Sequence, residues 1–231
     1  MLNITNNDIG SVIFGDAEFR DELLTFDGSG TVVEGTILAR KAVDDAIVVT
    51  AGGGNTGNGT AVAVVVGGSI VPIPGNYVLT NILVVAEGGV FKLEDPNGNF
   101  VADLTLDIGA GGTTILVAGG IQISVTEGGT DFILADSFSL ALVANGKMVP
   151  FAIAGLGGAQ VPNAVITFDS IAAGAGDEAI RAMIAGKVRK QRLIIDADGD
   201  GSNITDEILD QLRDFTVVSV DVQELNKLDN Q

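Results

Sequence analysis

Residues 46–145 alternate apolar and polar side chains in short runs that glycine repeatedly interrupts, and this pattern leaves little room for anything but antiparallel β structure. Phe91 and Leu93 share one face of a run. Phe100, Ala102, Leu104 and Leu106 share another, with Val101, Asp103, Thr105 and Asp107 opposite. Ile121, Ile123 and Val125 alternate with Gln122, Ser124 and Thr126, and Phe138, Leu140 and Leu142 repeat the arrangement before Asn145-Gly146. Asp95-Pro96-Asn97-Gly98 and Glu127-Gly128-Gly129-Thr130 supply the residues that chain reversals need. Six or seven strands in this stretch predict a small β-sandwich or barrel, with Phe91, Phe100 and Phe138 in its core.

The flanks have a different texture. Between residues 46 and 146 Lys92 stands as the one basic residue against eight acidic ones, and the other eleven basic residues lie outside. After a strand-like stretch at 179–195, Ile208, Leu209, Leu212 and Phe215 fall on one helical face. Asn203 is placed to cap this helix, with Asp206 and Glu207 favourable to its dipole, and a last strand is expected over 216–222. The fold class expected is therefore mainly β with one short helix: α+β in the flanks, and an all-β middle of sandwich, Ig-like or barrel form.

Thirty acidic residues against twelve basic ones give a net charge of −18, a field that repels nucleic acid and anionic membrane surfaces. The absence of Cys and His excludes thiolate and imidazole metal sites, Ser-His-Asp triads and disulfides. The first eight residues lack the basic and continuous apolar regions of a secretory signal, and the apolar stretch at 61–66 is far short of a membrane span. Neighbouring carboxylates such as Glu94/Asp95 and Asp177/Glu178 point to opposite faces of a strand, so they cannot flank one scissile bond. The expectation is a protein that is not an enzyme.

Three motifs carry candidate chemistry. Gly52, Gly54 and Gly57 satisfy the dinucleotide pattern G-x-G-x-x-G, but the β-branched run after them cannot open the helix that a pyrophosphate needs, so a mobile loop is expected. Asp196, Asp198, Asp200 and Glu207 match the oxygen donors of a calcium loop with Gly201 at its sixth position. Asn203 stands where that loop carries an aliphatic residue and no entering helix precedes it, so the stretch reads as an acidic glycine turn, with calcium the alternative and no other cofactor expected. Lys187, Arg189, Lys190 and Arg192, expected on the two faces of a strand, either pair with the chain's own carboxylates such as Asp196 and Asp198 or meet an acidic partner.

The segments Gly15-Asp-Ala-Glu-Phe-Arg-Asp-Glu-Leu-Leu-Thr-Phe26, Val33-Glu-Gly-Thr-Ile-Leu-Ala-Arg40 and Gly146-Lys-Met-Val-Pro-Phe151 resemble, in that order, the head decoration proteins of tailed bacteriophages, the phage lambda decoration-protein family. Ala164-Val-Ile-Thr-Phe168, Asp177-Glu-Ala-Ile-Arg181 and Ile208-Leu-Asp-Gln-Leu212 keep the family's order. Its shorter members run almost directly from the second of these segments into the third, whereas here residues 46–145 intervene, resembling sandwich modules of other phage structural proteins. The resemblance implies an N-terminal capsid-binding arm (1–14), a decoration-protein host (15–45 plus 146–231) and an inserted β-sandwich (46–145).

It further implies a homotrimeric cement protein on the outer surface of the virion capsid, made in the bacterial cytoplasm, with the major capsid protein and itself as partners and Ile9, Val12, Ile13 and Phe14 touching the shell. Two other readings remain at this point: a glycan-binding adhesion module that uses Tyr77 against a host-surface glycan, and a tail structural subunit.

Overall fold

The computed structural model describes residues 12–26, 30–68, 70–85, 88–107, 112–168, 171–173, 176–195 and 199–221. In chain order the strands are β1 (Ile13–Phe26), β2 (Gly30–Val32), β3 (Ile37–Arg40), β4 (Val43–Ala51), β5 (Thr60–Val65), β6 (Gly75–Val85), β7 (Gly88–Glu94) and β8 (Phe100–Asp107). They continue as β9 (Thr113–Ala118), β10 (Ile121–Thr126), β11 (Ser137–Ala144), β12 (Met148–Pro150), β13 (Pro162–Ile166), β14 (Ile171–Ala173) and β15 (Gly176–Arg189). Helix α1 (Asp206–Asp214) and β16 (Val217–Val220) complete the series, so the protein is mainly β with one α-helix among the described residues.

The chain forms two compact units. Unit 1 comprises Met1–Arg40, Lys147–Ile153 and Val161–Gln231; unit 2 comprises Lys41–Gly146 and Ala154–Gln160. Two backbone hydrogen bonds hold the ends of the long segment of unit 2 together, from Asn145 N–H to Ala42 O (3.0 Å) and from Gly146 N–H to Lys41 O (2.7 Å). Such close ends keep the closure entropy of a long segment small.

In unit 1 the strands run in the order β1-β12-β3-β13-β15, and β15 pairs back to β1, closing a five-stranded barrel. Closure removes the open edges that a small sheet would otherwise present. Strand β15 pairs with β1 along one edge; its other edge takes β13 at Ala182 and Met183, then β16 in parallel at Gly186 to Arg189. One core gathers Leu24, Leu38, Met148, Ala164 and Ile180; a second gathers Ile37, Phe151, Val165, Met183 and Val188 with Ile208, Leu209 and Leu212 of α1.

Helix α1 is capped by Thr205, whose hydroxyl accepts from Ile208 N–H at 3.4 Å, and not by Asn203 as the sequence suggests. The chain enters the helix two residues later than expected, leaving Asp206 and Glu207 in its first turn. Phe215 lies past the last turn and is exposed, so it is not part of the buried face. The strand expected over 179–195 ends early, with β15 at Arg189, because Lys190–Arg192 turn into a 3-10 segment.

Unit 2 is one eight-stranded sheet in the order β8-β7-β6-β11-β4-β5-β10-β9. Its single core contains Leu79, Phe91, Leu93, Ile121, Ile123, Phe132 and Leu140 from both halves of that order, which requires the sheet to fold over upon itself. The eight strands exceed the six or seven expected. Turn 95–98 reverses the chain as predicted, with Asp95 O accepting from Gly98 N–H (2.9 Å) and the Asp95 carboxylate accepting from the N–H groups of Asn97 and Asn99 (2.8 Å each).

Residues 127–130 do not form a hairpin turn. Strand β10 pairs with β5 and β9, while β11 pairs with β4 and β6, so the chain crosses between separate parts of the sheet there. Phe100, expected in the core, is 62% exposed, because the register shifts between Leu93 and Glu94 and carries the start of β8 off the inward pattern. Phe132 from the crossing loop packs edge-on against Phe91 (5.0 Å) and Phe138 (5.8 Å) in its place.

Candidate functional site

The outer face of β5, β10 and β9 in unit 2 is the most distinctive surface of the molecule. Alternation directs Ala63, Val65, Ile121, Ile123 and Val125 into the core and leaves the intervening residues facing outward. Register assembles these into three cross-strand rows: Val64, Gln122 and Val117; Val62, Ser124 and Ile115; Thr60, Thr126 and Thr113. None of the nine carries a charge, in a chain whose net charge is −18.

The face is shaped as well as uncharged. Val62 and Val64 on β5 are 61% and 45% exposed, and Ile115 and Val117 on β9 are 59% and 62% exposed. Between these two aliphatic ridges, roughly 10 Å apart at ordinary strand spacing, β10 presents a shallower line of Gln122, Ser124 and Thr126. The Thr113 and Thr126 hydroxyls lie 2.8 Å apart and close one end of the valley with a hydrogen bond.

A polar clamp joins the loop between β4 and β5 to the segment between β10 and β11. Asp136, 2% exposed, accepts from the backbone N–H groups of Thr56 (2.9 Å), Gly57 (2.8 Å) and Ile133 (3.0 Å). Burial pushes its carboxyl upward, but the N–H groups of Ile133, Thr56 and Gly57 outweigh that and hold it below the usual carboxylate value. Asn55 exchanges two hydrogen bonds with the backbone of Ser137, and Asn58 Oδ1 accepts from Thr130 N–H at 2.9 Å. The segment 52–57 is thus a loop, as its β-branched sequel predicts, but an anchored loop rather than a mobile one. Gly59 lies so close to Phe132 that a Cβ there would sit 2.3 Å from the ring and 2.5 Å from Thr126 O.

The other candidate residues fall in scattered places. Ile9 lies outside the described residues. Val12 is 1% exposed, its side chain belonging to a core of unit 1, its N–H donating to Glu34 Oε1 at 2.7 Å and its carbonyl accepting from Arg189 N–H. Ile13 is half-buried against the same core, and Phe14 is 38% exposed. The segment expected to reach out to a shell therefore spends Val12 on its own unit.

Of the calcium set, Asp196 and Asp198 lie outside the described residues. Asp200 accepts from Ser202 N–H at 2.8 Å, and that hydrogen bond holds its carboxyl below the usual range; Glu207 is exposed on the first turn of α1. No group of three potential metal ligands gathers among the described residues. A cleft of about 300 Å³ in unit 1 is lined by Val12, Glu34, Arg192 and Asp200 among others, with Glu34 bound to the Val12 backbone. In the basic cluster, Lys190 pairs with Asp206 at 3.3 Å.

Tyr77, the expected glycan platform, is 2% exposed, its hydroxyl accepting from Ile73 N–H at 3.1 Å, and burial pushes its phenol upward. With Phe91, Phe132 and Phe138 also in the core, an aromatic sugar platform at Tyr77 is excluded by position. The uncharged face is not legible in the sequence, because the all-apolar runs 61–66 and 115–118 show neither which face is outward nor which strands are neighbours; Val62 and Val64 lie some 50 residues from Ile115 and Val117 in the chain.

No family model and no curated protein matches this chain. Among solved structures it is similar to FlgL of Xanthomonas campestris in two crystal forms, with 16% and 18% identity and TM-scores of 0.33 and 0.34. The flagellar junction protein FlgL of Legionella pneumophila follows at 18% identity and a TM-score of 0.33. These matches cover 50%, 48% and 50% of this chain and 34%, 33% and 37% of the respective FlgL chains.

The chain spans about a third of each of those structures, a likeness too slight to carry an argument about its own function. The capsid-decoration reading is corrected: the structures named are FlgL proteins and not capsid decoration proteins, and no family model matches the chain.

Proposed function

We propose that this chain is a structural subunit that works by contact within a larger assembly and performs no chemistry of its own. The observation that carries this reading is the exposed apolar surface of unit 2. Besides the four ridge residues, Val48, Ile70, Ile82, Leu83, Val84, Val85, Ile133, Leu134 and Val143 all stay exposed although the unit has a filled core. Scattered apolar side chains are ordinary on a surface, but contiguous aliphatic rows are characteristic of surfaces that meet another protein.

The strong negative charge fits the same role, since it keeps the free subunit soluble despite those rows. Among the described residues no helix is long and apolar enough to cross a membrane. The test is gradient sedimentation of an extract from the cells that make the protein, with quantitative mass spectrometry across the fractions. A structural subunit runs in large particles at a fixed ratio to its neighbours. Migration of all the chain at the position of a free 23.5-kDa protein overturns the reading.

A further inference from the structure

We infer that Asn97-Gly98, at the tip of the hairpin formed by β7 and β8, is a site of spontaneous covalent modification. The Gly98 nitrogen closes on the Asn97 side chain and expels ammonia, and water then converts residue 97 to aspartate or isoaspartate. The site is independent of the structural-subunit reading.

The chain contains three Asn-Gly pairs: Asn58-Gly59, Asn97-Gly98 and Asn145-Gly146. Each is reactive in an unfolded chain, because glycine has no Cβ to obstruct the approach of its nitrogen. Folding holds two of them through distant partners. Asn58 Oδ1 accepts from Thr130 N–H at 2.9 Å, across 72 residues of chain, and Gly59 is packed so closely on the Phe132 ring and Thr126 O that a methyl there would overlap both. Asn145 Nδ2 donates to Asp44 Oδ1 at 2.6 Å, across 101 residues, while the N–H groups of Asn145 and Gly146 donate to Ala42 O and Lys41 O. Bringing either glycine nitrogen onto its asparagine breaks contacts that join distant segments of unit 2.

Asn97 is exposed, and the hydrogen bonds that hold it and the Gly98 N–H all end on Asp95. The Asn97 N–H donates to the Asp95 carboxylate at 2.8 Å, its side chain meets the same carboxylate, and the Gly98 N–H donates to Asp95 O at 2.9 Å. One local opening of this turn therefore frees nucleophile and target together, and exposed turns closed by near neighbours open at low cost. Asp95 is the gate of the reaction.

In the open turn the Gly98 nitrogen gives its proton to hydroxide and bonds to Asn97 Cγ. The Cγ–Nδ2 bond breaks, and ammonia leaves with a proton from water, which regenerates the hydroxide. Water then opens the five-membered ring. Attack at Cγ restores the chain as aspartate; attack at the backbone carbonyl carbon gives isoaspartate, whose main chain runs through Cβ. No oxidant or reductant takes part. Either product sets a second carboxylate beside Asp95, and isoaspartate also lengthens the turn by one backbone carbon, so both work against the bonds that shape it.

The test incubates the full chain in mildly alkaline buffer, folded and unfolded in guanidinium chloride. Peptide mass spectrometry locates each exchange of NH for O, and labelling by an isoaspartyl methyltransferase detects isoaspartate. Unfolded, the three sites are expected to react at similar rates. Folded, Asn97 is expected to react at least about tenfold faster than Asn58 or Asn145, equivalent to ~1.4 kcal/mol in opening free energy. Asp95→Ala is expected to raise the folded-state rate at Asn97 and leave the other two unchanged, with circular dichroism establishing the fold; Asp95→Asn, expected to act in the same direction, serves should that variant not fold. Equal rates at the three sites of the folded protein overturn the inference. So does an Asn97 that stays intact when folded, a preference for Asn97 that persists in the unfolded chain, or an Asp95 substitution without effect on its rate.

Discussion

Replacing Asp136 by Asn changes one atom in the clamp of unit 2 and removes a charge. The carboxylate receives three backbone N–H groups: one oxygen takes Thr56, and the other takes Gly57 and Ile133. An amide has one oxygen. Turned toward Gly57 and Ile133 it leaves Thr56 N–H facing an NH₂ group; turned toward Thr56 it leaves two donors unanswered. The better orientation still strands one buried donor, costing about 1–3 kcal/mol. The surviving bonds lose charge assistance, roughly another 1 kcal/mol. The expected total at pH 7 is therefore about 2–4 kcal/mol, a large part of the ordinary 5–15 kcal/mol stability of a domain.

Urea unfolding at pH 7 measures that loss, and amide hydrogen exchange locates it, with protection falling first at Thr56, Gly57 and Ile133. The pH dependence has a definite sign. The folded carboxyl sits below its ordinary value, so its contribution is fully present above the unfolded value of about 3.9 and disappears as pH falls through the depressed folded value. The difference between wild type and Asp136→Asn should accordingly shrink between pH 5 and the acid limit. A difference under about 0.5 kcal/mol at pH 7 refutes the reasoning, since it would leave no cost for the stranded donor. A difference that stays constant into acid refutes it equally.

Thr205→Ala should cost about 1 kcal/mol by denaturant unfolding, the usual value of an N-cap side chain, whereas Asn203→Ala should leave stability within ±0.5 kcal/mol. Equal effects would return the cap to Asn203. Gly59→Ala should destabilise unit 2 by more than about 2 kcal/mol and lower its melting temperature, because the new methyl meets the Phe132 ring and Thr126 O. In unit 1, Glu22 has a side chain 9% exposed and accepts from Arg40 Nη2 at 2.5 Å while Arg20 Nε lies 3.1 Å away; Glu22→Gln should cost about 1–3 kcal/mol in the same assay.

Much of the local architecture can be read from the linear chain. Turn 95–98 announces itself through Asp95-Pro96-Asn97-Gly98, because those side chains satisfy the turn's own backbone wherever the strands go. The apolar face of α1 is legible in Ile208, Leu209 and Leu212, and the inward faces of β7 and β10 in Phe91, Leu93, Ile121, Ile123 and Val125. Misreadings arise where a distant partner decides. Phe100 lost its place in the core to a register shift against β7, and Phe132, which sits in no alternating run, took a place between Phe91 and Phe138. Residues 127–130 look like a hairpin turn, but β11 lies between β4 and β6.

The candidate site divides along the same line. Period-two alternation marks Ser124, between Ile123 and Val125, as outward-facing, while in the all-apolar runs 61–66 and 115–118 it leaves the faces of Val62 and Ile115 open. It contains no information about lateral neighbours, since strand order depends on which apolar faces bury one another across the folded sheet. Only the pairing of β5 and β9 to opposite edges of β10 places those three residues in one row and makes four separated aliphatic side chains into a single uncharged surface. Composition and alternation thus determine that this chain is mainly β, acidic and free of thiol or imidazole chemistry, while tertiary pairing decides where its exposed uncharged surface lies.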